Sequence, residues 1–211
     1  MSLQDDIKSK AEGYGVSQGN SDFFKFEKGE TKIRVLNRPV DVLATHFFGK
    51  GQRAYVCIGI EEGCPYHGEE GPKDDKGNPK KPGLKVVSYI IDRTDGAIKL
   101  AELPLSIAYA IEDYMNSEDY GFDEFPMPYD ITVTSDPDNP DPKAKYRVLP
   151  SPKQVELTDE EKQVFEEAMG RMTPADYVEK RKAKARPEKQ YPEETIDPET
   201  IDPIDPSNIP F

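Results

Sequence analysis

The chain has 211 residues, of which 35% are hydrophobic and 33% are charged, and its formal net charge is −13. This length suits one main domain, while the low apolar fraction and the 20 prolines predict that part of the chain stays outside a packed core. Because the N-terminus carries no basic segment followed by an apolar run, and no stretch of about 18 apolar residues occurs, we expect a cytoplasmic protein that is neither exported nor membrane-spanning.

The acidic residues are segregated along the chain. Residues 21–100 hold 14 basic and 12 acidic side chains, residues 101–150 hold 3 and 11, and residues 187–211 hold 1 and 7. The region before residue 100 is therefore slightly basic. A nucleic-acid partner is compatible with the negative total on this ground.

Residues 1–20 are predicted to form a flexible N-terminal arm, because weak helical patterning gives way to three glycines and Asn20. Residues 21–150 are predicted to form a mainly β domain, because short runs alternate between apolar and polar residues. Five or six strands and one embedded helix are expected. The predicted strands cover 31–36, 53–58, 84–91, 97–103, 129–134 and 144–149, the helix lies within 103–119, and residues 72–83, with three prolines, are predicted to be a solvated loop.

Residues 151–186 are predicted to be a helical extension. Thr158 and Glu161 form a capping-box pattern ahead of an apolar stripe, which indicates the start of a helix. Thr173 and Pro174 predict the start of a second, basic helix that ends near Arg186.

Residues 187–211 repeat Ile-Asp-Pro three times and are predicted to be a disordered acidic tail. The tail residues expected to bind partner proteins are Asp202, Asp205, Ile209, Pro210 and Phe211. An apolar C-terminal tip with a free carboxylate, preceded by an acidic segment, suits a pocket lined by apolar and basic groups. The same acidic segment can occupy a basic groove of its own protein when nucleic acid is absent. The alternative is a tail that only increases solubility.

All the histidines and cysteines lie between residues 46 and 67. His46, Cys57, Cys64 and His67 are separated by ten, six and two residues, and the last pair has the Cys-x-x-His spacing of a zinc knuckle. Zinc prefers four nitrogen or sulfur ligands in a tetrahedron, so we predict a structural zinc site within a subdomain of about residues 45–72. The alternative is that two core thiols and two surface histidines cluster by chance.

Basic and aromatic residues alternate in and around this segment. Single strands of nucleic acid are held by cations that follow the phosphates and by aromatic rings that stack on bases. The candidate nucleic-acid-binding residues are Lys32, Arg34, Phe47, Phe48, Lys50, Arg53, Tyr55, Lys85 and Tyr89. For any single member, the alternative is core packing or a solvated strand edge.

Four features together resemble the single-stranded DNA-binding proteins of tailed bacteriophages: the zinc knuckle, the "FFKFEKGETKIRVLNRP" strand, the "YDITVTSDP…KYRVLP" hairpin and the acidic tail. The resemblance covers about residues 20–170 and implies an OB-type five-stranded barrel with a zinc-knuckle insertion and a basic, aromatic-lined cleft for the strand. That family binds zinc through one histidine and three cysteines, so His67 would replace a cysteine here. Residues 1–20, with two lysines and three acidic residues, lack the basic arm of that family.

The tip Ile209-Pro210-Phe211 is similar to that of bacterial single-stranded DNA-binding proteins, which docks replication and repair partners. The expected function is therefore to coat single-stranded DNA during phage replication, recombination and repair, with a tail that recruits polymerase, helicase or recombinase. We expect no enzymatic activity, because the sequence has no phosphate-binding loop, no Ser-His-Asp order and no open metal position. The alternative is a zinc-stabilised adaptor that mimics DNA and binds a host replication or transcription protein.

Overall fold

The computed structural model describes residues 23–49, 54–141 and 144–186. The strands are β1 (Phe23–Phe24), β2 (Gly29–Val35), β3 (Asp41–His46), β4 (Tyr55–Val56), β5 (Gly83–Asp92), β6 (Ile98–Pro104), β7 (Ile131–Ser135) and β8 (Tyr146–Pro150). The helices are α1 (Leu105–Met115), α2 (Asp159–Arg171) and α3 (Pro174–Ala185), and a short 3₁₀ turn covers Pro65–His67.

The eight strands form one mixed sheet. Its order is β1-β6-β5-β2-β7-β8, with β3 paired to β5 and β4 paired to β3. The β1–β6 pair is parallel and the other pairs are antiparallel. Over the described residues no ladder joins β1 to β8. The prediction of a mainly β fold is confirmed, but the sheet is open and has eight strands where a five-stranded barrel was expected.

The long strand β5 organises the sheet. One edge of β5 pairs with β6, while its other edge pairs with β2 at Ile90–Asp92 and with β3 at Gly83–Val87. Strands β2 and β3 therefore follow one another along the same edge, with a bend at residues 36–40 between them. This arrangement carries the chain past the start of β5 and places His46 at one end of the sheet.

Both faces of the sheet are covered. Helix α1 packs on one face, where Val86 and Ile90 of β5 are buried, and α2 and α3 pack on the other, where Val87 and Ile91 are buried. Burial on both sides explains why β5 has a continuous apolar run instead of an alternating one. Two of the candidate nucleic-acid-binding residues are therefore buried: Arg34 is 1% exposed and Tyr89 is 7% exposed.

The two C-terminal helices begin where the sequence predicts. Thr158 Oγ1 accepts a hydrogen bond from Glu161 N at 3.1 Å, and Glu161 Oε2 accepts one from Thr158 N at 2.9 Å. Thr173 and Asp176 form an equivalent capping box at the start of α3. Each box satisfies backbone donors that the first helical turn leaves without partners.

No helix in the described part of the chain is both long enough and apolar enough to cross a bilayer.

A buried ion cluster around Asp130 ties the sheet to α2. The Asp130 Oδ1 atom accepts hydrogen bonds from Arg34 Nε at 2.7 Å and from Arg93 Nε at 3.1 Å, and Lys32 Nζ lies 3.3 Å from Oδ2. Arg93 also donates to Glu161 at the start of α2. Burial alone would raise the pKa of Asp130, but the adjacent Arg34 and Arg93 outweigh it and lower that pKa below the ordinary value. The cluster thus depends on an ionised Asp130.

We expect Asp130→Asn to lower the free energy of unfolding by about 3–5 kcal/mol, because it leaves the buried Arg34 without a counter-charge. The pKa of Asp130 is depressed in the folded state, so its stabilisation is complete above the unfolded pKa of about 3.9 and is lost as the pH falls through the folded pKa. Urea unfolding at pH 7 and at a series of acidic pH values measures both effects. Asp75→Asn, at an exposed aspartate, is the matched control, and equal stability of the two variants would contradict the assignment.

Candidate metal centre and aromatic knuckle

The four predicted ligands converge at the end of the β3–β4 hairpin. Cys57 Sγ lies 3.0 Å from His67 Nε2, and Cys64 Sγ lies 3.5 Å from His46 Nε2. All four ligand atoms lie within 4.8 Å of one another. Ligand atoms around a tetrahedral ion with bonds of about 2.0–2.3 Å are separated by about 3.3–3.8 Å, so this cluster is close to the required size. The four side chains can hold one metal ion, as the sequence spacing predicts.

Two of the ligands are positioned by strands. His46 is the last residue of β3 and pairs with Tyr55 of β4. Beyond β4, the Cys57 backbone N–H donates to the Ala44 carbonyl at 2.9 Å, so the hairpin pairing extends to the first cysteine. Backbone hydrogen bonds therefore fix both residues at the end of the sheet.

The other two ligands are positioned by a tight turn. The Gly63 N–H donates to the Ile60 carbonyl and the Cys64 N–H donates to the Gly59 carbonyl, both at 3.0 Å. Gly63 has a φ of +76°, which a residue with a Cβ rarely adopts. The 3₁₀ turn that follows carries His67 back towards Cys57. Residues 57–71, which contain this turn, are called the knuckle below.

Three of the four ligand side chains are buried, and burial shifts the pKa of His46 and of Cys57. His46 is fully buried, and burial, followed by the nearby His67, lowers its pKa. Burial also raises the pKa of the Cys57 thiol, although a hydrogen bond from the Gly59 backbone opposes the effect. A divalent cation would instead lower the pKa of the thiols, because metal ions bind the deprotonated form. Neutral imidazoles and two thiolates together would balance a charge of +2.

Aromatic rings cover the outside of the metal cluster. The ring centroids of Phe48 and Tyr55 are 5.5 Å apart, those of Phe48 and Tyr66 are 5.4 Å apart, and those of Tyr55 and Tyr66 are 4.9 Å apart. Tyr66 also lies 5.7 Å from the His46 ring. Phe47, next in the chain to Phe48, is 56% exposed, and Tyr55 is 40% exposed. Phe48, Tyr55 and Tyr66, whose rings contact one another, are called the aromatic cluster below.

Tyr66 was missed among the candidate residues of the sequence. It lies between the last two ligands, in Cys64-Pro65-Tyr66-His67, and the 3₁₀ turn places its ring against Phe48 and Tyr55. The sequence signal that could have identified Tyr66 was its position between the two ligands Cys64 and His67.

Four other candidates lie away from the aromatic cluster or inside the protein. Arg34 is held by Asp130 in the core, and the Tyr89 hydroxyl lies 3.1 Å from the Ala168 carbonyl and 2.8 Å from the Met172 carbonyl. These two side chains are unavailable to DNA because α2 and α3 cover this face of the sheet. Lys32 is exposed near Asp130, and Lys85 is half-buried with its Nζ 2.9 Å from Glu102 Oε2.

The remaining candidates lie outside the described residues. They are Lys50 and Arg53, in the connection between β3 and β4, and the tail residues Asp202, Asp205, Ile209, Pro210 and Phe211. Lys50 and Arg53 stay predictions.

Helix α3 connects the metal centre to the rest of the fold. It packs against β3, β4 and β5, and Val178 of α3 is buried against the sheet. At its end, the Arg186 guanidinium forms two hydrogen bonds with Glu62 Oε2 in the knuckle, at 2.8 and 2.6 Å. The basic helix therefore packs on the domain through one face.

Comparisons of the chain with protein-family models, curated proteins and solved structures found no match.

We expect the purified protein to contain one divalent metal ion per chain, and we expect Cys57→Ala to lower the metal content sharply because it removes one of four ligands. Elemental analysis measures the content, and the absorption of the cobalt-substituted protein reports two thiolates in a tetrahedral site. Glu61→Gln, at an exposed glutamate in the same turn, should keep the metal. Full metal content in the cysteine variant would contradict the ligand assignment.

Proposed function

We propose that this protein binds single-stranded DNA and coats it during phage DNA replication, recombination and repair in the cytoplasm of the host bacterium. The observation that carries the proposal is the aromatic cluster, a group of exposed and half-buried rings carried by the β3–β4 hairpin and the knuckle. Base stacking on such rings contributes about 1–3 kcal/mol per base and tolerates any sequence. This function involves no covalent chemistry, which agrees with the expectation that the protein is not an enzyme.

The metal is proposed to be zinc in a structural role. Two cysteine and two histidine ligands match the preference of zinc for sulfur and nitrogen, and four protein ligands leave no position for a reacting water. The ion would hold the knuckle in place, and with it Tyr66 and the hairpin that carries Phe48 and Tyr55. Its contribution to binding is therefore the geometry of the rings.

The OB-type barrel is retained as part of this proposal. OB folds are five-stranded, partly open Greek-key barrels that bind single strands. In this protein, one half of β5 pairs with β2 and the other half pairs with β3. A sheet can curl where the pairing partner of a long strand changes in this way. The aromatic contact between Phe26 and Tyr146, at 5.8 Å between centroids, brings the chain after β1 close to β8. These features support a curled sheet of that type.

A second candidate function is a DNA-mimicking adaptor that binds a host replication or transcription protein. Six acidic residues are exposed in α1 and the segment that follows it, and they support this alternative: Glu112, Asp113, Glu118, Asp119, Asp123 and Glu124. A surface of this kind resembles a row of phosphates in charge. Direct binding of oligonucleotides separates the two functions.

We expect labelled single-stranded oligonucleotides to bind at micromolar or better affinity in fluorescence anisotropy titrations. Tyr55→Ala should raise Kd about 5- to 150-fold, because it removes one stacking ring worth about 1–3 kcal/mol. Tyr109→Ala is the matched control, since Tyr109 is 59% exposed on α1, outside the aromatic cluster. Absence of oligonucleotide binding, with binding to a host protein instead, would favour the adaptor. Equal effects of the two variants would contradict the role of the aromatic cluster.

The acidic tail is proposed to recruit polymerase, helicase or recombinase and to compete with DNA when no partner is bound. Replacing its seven acidic residues by the corresponding amides should tighten oligonucleotide binding at low salt and weaken partner recruitment, because the competing charge is removed. Anisotropy titrations at low and high salt measure the first effect, and pull-down of the replication proteins of the host measures the second. Unchanged affinity at low salt would rule out the competition.

A further inference from the structure

The segment that follows the knuckle is an ordered hairpin, although its composition predicts a solvated loop. Within residues 72–82, the Asp74 N–H donates to the Asn78 carbonyl at 2.8 Å and the Gly77 N–H donates to the Asp74 carbonyl at 2.9 Å. The Asp74 carboxylate accepts backbone hydrogen bonds from Lys76 at 2.9 Å and from Asn78 at 2.8 Å. One side chain thus organises the turn from inside.

Both ends of this hairpin are anchored beside the metal centre. At its start, Gly71 lies so close to Tyr66 that a Cβ on Gly71 would be 2.0 Å from the Tyr66 carbonyl oxygen. At its end, the chain enters β5 at Gly83, which pairs with Thr45, the residue before the ligand His46. The hairpin therefore projects from the same end of the sheet that carries the aromatic cluster.

The hairpin carries four exposed lysines. Lys73, Lys76, Lys80 and Lys81 are all exposed, and none of them forms an ion pair with a carboxylate in the described ranges. Two aspartates, Asp74 and Asp75, oppose these four lysines. The segment is thus locally positive in a protein whose net charge is −13. We call residues 72–82 the lysine hairpin.

We propose that the lysine hairpin holds the phosphates of the strand whose bases stack on the aromatic cluster. This inference rests on the proposed function and deepens it by assigning the backbone contacts to a second element. Single-strand binding requires cations along the backbone beside the stacking rings, and Arg34 is removed from that role by its burial. An ordered turn that presents lysines in advance loses less conformational entropy on binding than a flexible loop does.

The salt dependence of binding tests this assignment. Each phosphate contact of a single strand contributes about 0.7 to the slope of log K against log salt concentration. We therefore expect Lys76→Gln with Lys80→Gln to reduce the slope by about 1.4 and to weaken binding at low salt. The matched control is Arg147→Gln with Lys153→Gln, which removes the same charge from exposed positions in and after β8. The control should leave the slope close to that of the wild type.

The outcomes separate this inference from the proposed function. If the wild type binds oligonucleotides and the hairpin variant has the slope of the control, the lysine hairpin is not the phosphate contact, while the proposed function stands. If the wild type binds no single strand, the proposed function fails first. Circular dichroism and metal content of each variant, both expected to match the wild type, ensure that a lost slope reports lost contacts and not unfolding.

Discussion

Four ligand atoms that converge within 4.8 Å of one another form the constraint on which the site depends. The knuckle has few apolar side chains of its own, since its buried hydrophobic residues are Cys57, Ile58 and Cys64, with Ala44 and Tyr66 packed against them. Area burial on this scale contributes only a few kcal/mol, whereas structural zinc in finger peptides contributes about 10–16 kcal/mol. A metal ion bound by the four ligands would therefore be the main force that fixes the chain from the end of β3 to the lysine hairpin.

The parts of the fold that follow from short-range signals were predicted correctly from the sequence. The capping boxes at Thr158 and Thr173 depend on residues three positions apart, and the metal ligands lie within 22 residues of one another. Arg34 was misread because its partner, Asp130, is 96 positions away, and an alternating strand with basic residues looks like a solvated edge. No local pattern indicates that distant helices will cover that edge.

Two segments together determine where the exposed rings and the exposed lysines lie. Arg34 and Tyr89 were predicted to bind nucleic acid, but Asp130 holds Arg34 in the core and Tyr89 is buried in the apolar cluster that contains residues of α2 and α3. Residues 72–83 were predicted to be a solvated loop, and most of them are exposed, but proline and lysine content does not reveal that Asp74 organises a turn within the loop. The positive charge and the exposed rings instead meet at the end of the sheet, around the predicted metal ion.

The packing of α2 and α3 on the sheet has a consequence for dividing the chain into fragments. Leu43, Val87 and Ile91 of the sheet share one apolar cluster with Ala168 of α2 and Val178 of α3. A polypeptide truncated at Pro150 would expose the sheet side of this cluster to water. An exposed hydrophobic surface of this kind promotes self-association and lowers the yield of protein on expression. Although the sequence predicts that the β domain ends at residue 150, the packed hydrophobic core includes residues of α2 and α3.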